Sequence, residues 1–358
     1  MITTYYICSF NVRSIKYFNL NEMRKIIQSK YPSNIALVKY WGKFGNQMPC
    51  NASLSMTLSE AVTEVELTLD YKSKKEIEFD YFFEGNKNDS FRNRILNYIE
   101  NQIEFKELLD HYALTIKSNN TFPHSAGIAS SASAFAAISA ALLKAKGEEI
   151  DDDFNRKASR LARLGSGSAC RSFYGPYAMW GELNKHKEAS NEYAIPIQEV
   201  HENFKEMRDA ILIVEDKPKK VSSSIGHSLM NNHSYAEKRF IDANKNCEEM
   251  LSTLKRGDYE EFIQITEREA LSLHAMMMTS KDYYMLMKPG TVEIIDKVFQ
   301  FREETKLPLC FTLDAGPNIH LLYPVSIQEK VHTFIAEELK DNTKSVLFDK
   351  IGAGGIVL

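Results

Sequence analysis

The sequence predicts an α+β fold in two domains. Strand-like and helix-like segments are both frequent, and they do not alternate as regularly as they would in a doubly wound parallel sheet. The length of 358 residues suffices for two ordinary domains. We place the boundary so that residues 1–205 form the first domain and residues 206–358 the second. Residues 1–20 are expected to be an irregular or disordered extension.

Apolar periodicity defines the elements of the first domain. Its predicted strands cover residues 33–41, 61–70, 75–83, 111–119 and 177–183. Its predicted helices cover residues 91–104, 130–146 and 151–165. The second of these is rich in alanine, which favours helix formation and close packing on a sheet. The third begins with acidic residues, which suit the positive end of the helix dipole, and it stops at Gly165.

The second domain is expected to begin with a buried strand, DAILIVED, at residues 209–216. Helical patterns then cover residues 234–255, 258–278, 291–306 and 326–340. Residues 309–324 contain two strand-like segments joined by a turn, and residues 344–358 supply a last strand. Strands and helices are therefore mixed in this half of the chain as well.

The bulk composition limits the function classes. A net charge of −4 gives no reason to expect nucleic-acid binding, so an anionic ligand needs cations placed locally. The five cysteines are scattered and odd in number, which favours a reducing compartment over a disulfide framework or structural zinc. No apolar run could span a membrane, and the N-terminal segment is a poor signal peptide. We therefore expect a cytoplasmic protein without membrane partners.

The segment PHSAGIASSASAF, residues 123–135, runs from a turn into the Ala-rich helix. Gly127 would let the backbone approach a ligand, and Ser130, Ser131 and Ser133 offer hydroxyls beside the free N–H groups of the helix start. The helix dipole favours an anion there, so the segment predicts a phosphate loop. Since it lacks the lysine of a P-loop, its cations must come from elsewhere. A serine cluster that merely caps the helix is the alternative.

Three further segments carry charged residues at strand ends or turns. SNIALVKYWGKFG ends an apolar strand with Lys39 and Lys43, which suits a phosphorylated ligand or a solvated strand end. RLGSGSACRSFYG sets Arg171 behind small residues, which suits an anion site or a flexible turn. FTLDAGPNIHLL places Asp314 at a strand end, where its carboxylate could accept a hydroxyl proton or start a turn.

These segments occur in an order that resembles a known family. NIALVKYWGK, GIASSAS, GSGSACRS and TLDAGPN follow one another within residues 33–324. In this order they resemble the GHMP kinase superfamily and, within it, the diphosphomevalonate decarboxylase family. The resemblance implies an N-terminal ribosomal-protein-S5-like domain and a C-terminal ferredoxin-like α/β sandwich domain, with the active-site cleft between them.

The resemblance also implies the reaction. Members of this family use ATP and Mg²⁺ to convert mevalonate 5-diphosphate to isopentenyl diphosphate, ADP, phosphate and CO₂, and they are commonly homodimers. Asp314 would orient or deprotonate the C3 hydroxyl. Lys39 would lie beside Asp314, keep it ionised and counter the charge of the transferred phosphoryl group. Arg171 would clamp the substrate carboxylate.

Two further sets of residues carry over from the family. The expected substrate contacts are Asn34, Tyr40, Trp41, Lys43, Ser166, Gly167, Ser168 and Ser223. The expected nucleotide contacts are Gly127, Ala129, Ser130, Ser131 and Ser133. By the same resemblance, the hydroxyl of Ser131 is a candidate contact for Mg²⁺.

The chain departs from the family pattern at a few positions. His124 and Ser125 add polar groups to the phosphate loop, Ser224 stands where some relatives carry arginine, and His227 replaces the usual methionine. We assign no chemistry to His227. The alternatives left open are a decarboxylase acting on mevalonate 5-phosphate, another small-molecule kinase of the superfamily, and a non-catalytic metabolite-binding relative.

Overall fold

The computed structural model describes residues 24–123, 130–217 and 223–358, and the structural statements below concern these residues. The strands are β1 (Arg24–Val38), β2 (Lys43–Phe44), β3 (Met48–Pro49), β4 (Ser53–Tyr71), β5 (Phe79–Phe83), β6 (Asn86–Lys87), β7 (Tyr112–Asn120), β8 (Tyr177–Trp180), β9 (Ala194–Pro196), β10 (Met207–Ile213), β11 (Cys310–Thr312), β12 (Ile319–Pro324), β13 (Ser345–Lys350) and β14 (Ile356–Val357).

The helices are α1 (Asp89–Glu100), α2 (Ile103–His111), α3 (Ser130–Ala145), α4 (Asp152–Gly165), α5 (Ser223–Ser228), α6 (Ala236–Arg256), α7 (Tyr259–Thr279), α8 (Pro289–Thr305) and α9 (Gln328–Glu338). Short 3₁₀ helices cover Gly167–Phe173, Glu202–Phe204, Val325–Ile327 and Lys340–Asn342. None of the helices in the described ranges is long and apolar enough to cross a membrane.

Strands β1 and β4 form the long antiparallel centre of the first sheet, whose main order is β14-β1-β4-β7-β5-β6. Strand β8 pairs with the start of β4, and β9 pairs with β8. The Ala-rich helix α3 packs on β1 and β4, and its small side chains permit this close approach. Two irregularities in β1, between Pro32 and Asn34 and between Ala36 and Val38, alter the strand just before Lys39.

The second sheet is antiparallel, with the order β11-β12-β10-β13. Helices α8 and α9 contribute to an apolar core against it, with Ile294 of α8 and Val331 of α9 fully buried. Another core cluster joins the two sheets, since it combines Ile35 of β1 with Ile211 of β10 and Cys247 of α6. Lys39, which follows β1, therefore lies beside the second half of the chain, which packs against the first sheet here.

A single carboxylate also ties the two sheets together. Asp349 of β13 accepts the amide N–H groups of Ser59 and Glu60 at 2.9 Å and of Ala61 at 2.8 Å. Strand β14 then returns to the first sheet and pairs with β1. The last strand thus belongs to the first sheet, although it lies in the range that we assigned to the second domain, and the boundary at residue 206 stays a prediction.

The α+β class is confirmed, and the differences from the predicted elements have local causes. Strand β1 begins at Arg24 rather than at residue 33. The prediction missed its first half because that half is polar on one face and contains Pro32. The helix predicted over residues 91–104 is two helices, α1 and α2, separated at Asn101 and Gln102. The 3₁₀ helix after α4 and the short strand β9 have no clear periodicity in the sequence.

Candidate active site

Lys39 and Asp314 form an ion pair where the two sheets meet. Lys39 follows the end of β1, Asp314 follows β11, and Nζ of the lysine lies 3.0 Å from Oδ1 of the aspartate. The lysine side chain is 2% exposed and also donates to the carbonyl of Ala36 at 2.7 Å, whereas the aspartate is 28% exposed. Burial lowers the pKa of Lys39, and the negative charges of Asp314 and Glu269 counter this effect. The carboxylate is therefore the member of the pair that a ligand can reach.

The main chain around Asp314 is held on two sides. The amide of Gly316 donates to the carbonyl of Asp314 at 2.7 Å, which makes a tight turn after the strand. Nε2 of His274, on α7, lies 3.1 Å from the same carbonyl oxygen. These contacts fix the backbone of the loop and so direct the carboxylate to Lys39.

Arg171 lies in the 3₁₀ helix after α4 and is 2% exposed. Its Nη1 donates to Oγ of Ser53 at 2.7 Å, and its Nε donates to Oγ of Ser55 at 3.1 Å and to Oδ1 of Asn34 at 3.2 Å. All three acceptors are neutral, so they orient the guanidinium without cancelling its charge. Burial lowers the pKa of Arg171, and the negative charge of Asp314 counters this. The site therefore holds a fixed cation suited to a carboxylate or phosphate.

Asn34 joins β1 to the segment that carries Arg171. Its Nδ2 donates to Oγ of Ser172 at 2.9 Å and to the carbonyl of Ser168 at 3.3 Å, while its Oδ1 accepts from Arg171. Each polar atom of the amide thus has a partner within the protein. In this structure Asn34 orients the arginine segment.

Tyr40 and Trp41 pack beside the small residues 165–168, which we call the GSGS segment. A Cβ added at Gly167 would lie 2.7 Å from the ring of Tyr40, so the tyrosine requires glycine at this position. The ring of Tyr40 also packs edge-on against Trp180, with 4.7 Å between the ring centroids. The hydroxyl of Tyr40 and the indole N–H of Trp41 are buried and have no partner among the described residues. Buried polar groups of this kind usually bond to water or a ligand.

His227 of α5, which we noted only as a departure from the family pattern, lies against the same strand end. Gly42 donates its amide N–H to Nδ1 of His227 at 3.0 Å, and the rings of Tyr40 and Trp41 lie 4.3 and 4.7 Å from the imidazole centroid. Burial, and then the charge of Lys43, lowers the pKa of His227 to about 3. Since Nδ1 accepts a hydrogen bond, the neutral ring carries its proton on Nε2.

Lys43 supplies a second cation at this strand end. Its Nζ donates to Oε1 of Gln47 at 2.8 Å, and the side chain is partly buried. Burial lowers the pKa of Lys43, and the positive charge of Arg94 lowers it further. Each of these two cations is therefore suited to bind an anion.

The serines at the start of α3 differ in what their hydroxyls contact. Oγ of Ser131 lies 3.2 Å from Oγ of Ser166, so the phosphate loop meets the GSGS segment here. Oγ of Ser133 is buried, lies 2.6 Å from Oγ1 of Thr63 and donates to the carbonyl of Ser130 at 3.3 Å. The Ser133 hydroxyl is therefore engaged within the protein, whereas Ser130 and Ser131 are partly open.

Several predicted positions cannot be placed. Residues 124–129, which include Gly127, Ala129, His124 and Ser125, lie outside the described residues. Ser223 and Ser224 begin helix α5, but their side chains are not described. Their functions remain predictions.

A cavity of about 340 Å³ opens beside the start of α3. Aromatic and polar side chains surround it, namely Tyr81, Phe83, Asn88, Ser90, Phe91, Arg94, Ser118, Asn120, Ser130, Ser131 and Ala134. A mixed lining of this kind is typical of a site for a small molecule with an aromatic ring and a polar chain. Both partly open serines of the predicted phosphate loop belong to it.

Arg94 also lines this cavity, although its place in a predicted amphipathic helix did not indicate a functional role. Its Nη2 donates to the carbonyl of Gly165 at 2.8 Å, and its guanidinium carbon lies 4.7 Å from the ring centroid of Phe135. Desolvation lowers the pKa of Arg94, although the side chain is exposed to the cavity. It forms no ion pair with a carboxylate of the described chain. Arg94 therefore supplies a cation next to Ser131.

The described residues contain no group of three or more His, Cys, Asp and Glu side chains that could hold a metal ion.

Two family models match most of the chain. Residues 31–192 match the diphosphomevalonate decarboxylase-like N-terminal domain, and residues 210–352 match the mevalonate 5-diphosphate decarboxylase C-terminal domain. The diphosphomevalonate decarboxylase of Saccharomyces cerevisiae is 32% identical over 322 residues, which are 85% of this chain and 79% of the relative.

Solved structures are similar to the whole described fold. The crystal structure of mevalonate diphosphate decarboxylase from Staphylococcus aureus has a TM-score of 0.83 and 27% identity, and the match covers 95% of this chain and 100% of that chain. A complex described as MDDEF with MVAPP, AMPPCP and magnesium has a TM-score of 0.82 and 27% identity, with 94% and 99% of the two chains covered.

Proposed function

The chain belongs to the diphosphomevalonate decarboxylase family, and we propose that it catalyses the ATP-dependent decarboxylation of mevalonate 5-diphosphate. The products are isopentenyl diphosphate, ADP, phosphate and CO₂. ATP and Mg²⁺ are required, in keeping with the relative bound to MVAPP, AMPPCP and magnesium. The observation that carries the assignment of roles is the 3.0 Å contact between Lys39 and Asp314, with Arg171 within electrostatic reach.

Asp314 acts on the tertiary C3 hydroxyl. A hydroxyl is a poor leaving group, so the reaction needs it to become a phosphate before the carboxylate departs. The exposed part of the Asp314 carboxylate orients the hydroxyl and accepts its proton during phosphoryl transfer. Lys39 favours the ionised carboxylate and counters negative charge on the group being transferred.

Arg171 binds the substrate carboxylate. Its guanidinium is fixed by Ser53, Ser55 and Asn34, so little conformational entropy is lost when a carboxylate joins it. The cation holds the C1 carboxylate next to C3. When phosphate leaves and positive charge develops at C3, loss of CO₂ from this carboxylate forms the alkene.

The cavity beside α3 fits the nucleotide. Ser130 and Ser131 lie at a helix start, where N–H groups and the dipole favour phosphate, and Arg94 adds a full positive charge. The Ser131 hydroxyl would hold Mg²⁺ together with phosphate oxygens and possesses the right donor type. When bound, Mg²⁺ neutralises charge on the phosphates. The predicted nucleotide contacts Gly127 and Ala129 are part of the same proposal.

The strand end and the GSGS segment bind the substrate diphosphate. Lys43 supplies charge there, and the buried Tyr40 hydroxyl and Trp41 indole are available for polar contacts. The neutral Nε2–H of His227 adds a donor on the same strand end. The remaining members of this proposed set are Asn34, Ser166, Gly167, Ser168 and Ser223.

One assay tests the proposed function. Purified protein is incubated with Mg·ATP and, separately, with mevalonate, its 5-phosphate and its 5-diphosphate, and both ADP and CO₂ are measured. We expect equal amounts of ADP and CO₂ with the 5-diphosphate. ADP without CO₂ would identify the protein as a kinase. CO₂ from the 5-phosphate alone would show that mevalonate 5-phosphate, not the 5-diphosphate, is the substrate. Neither product with any of the three compounds would show that the protein is not an enzyme of this kind.

We also propose that the protein is a cytoplasmic homodimer. The free state of Cys50, Cys170, Cys247 and Cys310 supports a reducing compartment. We propose a homodimer because members of this family are commonly homodimers. Light scattering coupled to size-exclusion chromatography tests it, and a mass of 41.0 kDa would identify a monomer instead.

A further inference from the structure

Glu269 of α7 contacts the backbone of Lys39. Its Oε2 accepts the amide N–H of Lys39 at 2.9 Å and a hydrogen bond from Nη2 of Arg239 at 2.7 Å. Its Oε1 accepts from Nδ2 of Asn246 at 2.6 Å. The carboxylate is 1% exposed, so solvent does not share in holding it. Glu269 thus connects helices α6 and α7 to the end of β1.

The charges around Lys39 come from three elements. Asp314 of the loop after β11 and Glu269 of α7 favour the protonated ammonium, whereas Arg171 of the 3₁₀ helix disfavours it. Facing Glu269 from α6 are Arg239 and Cys247, and burial raises the pKa of that cysteine so that it stays neutral.

Burial by itself favours a neutral lysine, because desolvation penalises the charged form. If Asp314 takes up the proton of the C3 hydroxyl, the negative charge closest to the Lys39 ammonium disappears. Of the two carboxylates that raise the pKa of Lys39, Glu269 is then the one that remains charged. Its hydrogen bond to the Lys39 amide also fixes the backbone from which the side chain reaches Asp314.

We propose that Glu269 is a positioning residue that keeps Lys39 protonated and in place while Asp314 changes its charge. Glu269 does not touch the substrate and acts through Lys39. The inference rests on the proposed function, because that function gives Asp314 a proton to accept. It extends that function by assigning the charge state of Lys39 to a residue outside the substrate cleft.

The test is the pH dependence of kcat/KM for mevalonate 5-diphosphate in the Glu269→Gln variant. Glutamine keeps the size of the side chain and removes its charge, so Lys39 should lose its proton at lower pH. We expect the alkaline limb of the profile to move down by about one pH unit, which is a common effect of a nearby charge. The KM for ATP should stay within about twofold, since no nucleotide contact changes.

Glu267→Gln is the matched control. Glu267 lies on the same helix, is also buried, and pairs with Arg302 as Glu269 pairs with Arg239. It bonds to the amide of Phe311 and not to Lys39. Its variant should lose stability and keep the wild-type alkaline limb. An unchanged limb in Glu269→Gln, or an equal shift in both variants, would overturn the proposal.

The single variant leaves Arg239 buried without its carboxylate, which can prevent folding. The double variant Glu269→Gln with Arg239→Gln removes this orphaned charge and still lacks the carboxylate. Its alkaline limb should also move down, by less than in the single variant, because the Arg239 cation that disfavours the Lys39 ammonium is removed as well. A wild-type limb in the folded double variant would contradict the proposal.

The proposed function and this inference fail in different ways. If the wild-type protein does not turn over mevalonate 5-diphosphate, the proposed function is wrong. The inference is then tested by NMR titration of the Lys39 ammonium. A lower pKa of Lys39 in Glu269→Gln than in the wild type supports it, and equal pKa values refute it.

Discussion

Lys39 and Asp314 are 275 positions apart in the chain, yet Nζ of one lies 3.0 Å from Oδ1 of the other. The lysine follows a strand of the first sheet and the aspartate follows a strand of the second. The ion pair therefore exists only when the two sheets pack together through their shared apolar cluster. Chemistry at this site depends on the packing between the two halves of the described chain.

Replacing Asp314 by asparagine should abolish turnover and leave nucleotide binding nearly intact. Asparagine keeps the shape of the side chain, but it cannot accept a proton from the hydroxyl. We expect kcat to fall by ~10²–10⁴-fold, the range typical of a lost general base. The affinity for AMPPCP, measured by titration calorimetry, should stay within about twofold of the wild type. A large loss of nucleotide affinity would place Asp314 in the nucleotide site.

Replacing Arg171 by glutamine should weaken the binding of mevalonate 5-diphosphate. Loss of a charge-assisted contact costs about 1.5–3 kcal/mol, so we expect KM to rise about 10- to 100-fold. Arg171→Lys keeps the charge and loses the planar fork, so its KM should be intermediate. Initial rates at saturating ATP measure both variants. A KM equal to that of the wild type in Arg171→Gln would show that this arginine does not bind substrate.

Replacing Arg94 by glutamine should weaken nucleotide binding. The guanidinium lines the cavity next to Ser130 and Ser131, so its loss removes a cation from the phosphate chain. We expect the Kd for ADP to rise about tenfold, as for one charge-assisted hydrogen bond. Arg92→Gln is the control, because Arg92 also lies on α1 and donates to a carbonyl, that of Phe79, but does not line the cavity. Equal effects in both variants would indicate damage to the helix.

The sequence identified the residues whose type and spacing are unusual. A lysine, an arginine and an aspartate next to small residues at strand ends and turns are uncommon enough to suggest chemistry. In the structure Lys39 and Asp314 form an ion pair, and Arg171 lies within electrostatic range of Asp314. Arg94 carried no such signal, because an arginine within FRNRILNYIE fits the solvated face of an amphipathic helix. Its place in the cavity follows from how α1 packs beside Gly165, which is a tertiary contact.

His227 was given no role and Glu269 was not selected, for the same reason. Each lies on a helix and contacts the strand end Lys39–Gly42 from far along the chain, at 185 and 230 positions respectively. Such a residue becomes part of the site only because it is buried and forms a hydrogen bond there. Neither its burial nor its hydrogen-bond partner can be read from its neighbours in the sequence. The fold class was accessible because periodicity is local, whereas the full length of β1 was hidden by its polar face and Pro32.

Folding stability should fall on acidification because of His227. Its pKa is about 3 in the folded state against 6.5 for an ordinary histidine, so the unfolded chain binds more protons in this window. The contribution of this group to stability is therefore complete above pH 6.5 and is lost as the pH falls toward 3. Between pH 7 and pH 5 we expect a loss of about 2 kcal/mol in the free energy of unfolding. Urea titrations at both pH values measure this loss.

His227→Gln should lose this share of the pH dependence, whereas replacing the exposed His111 by glutamine should preserve it. If His227→Gln retains the full wild-type difference, the imidazole is not the group that makes the fold sensitive to acid.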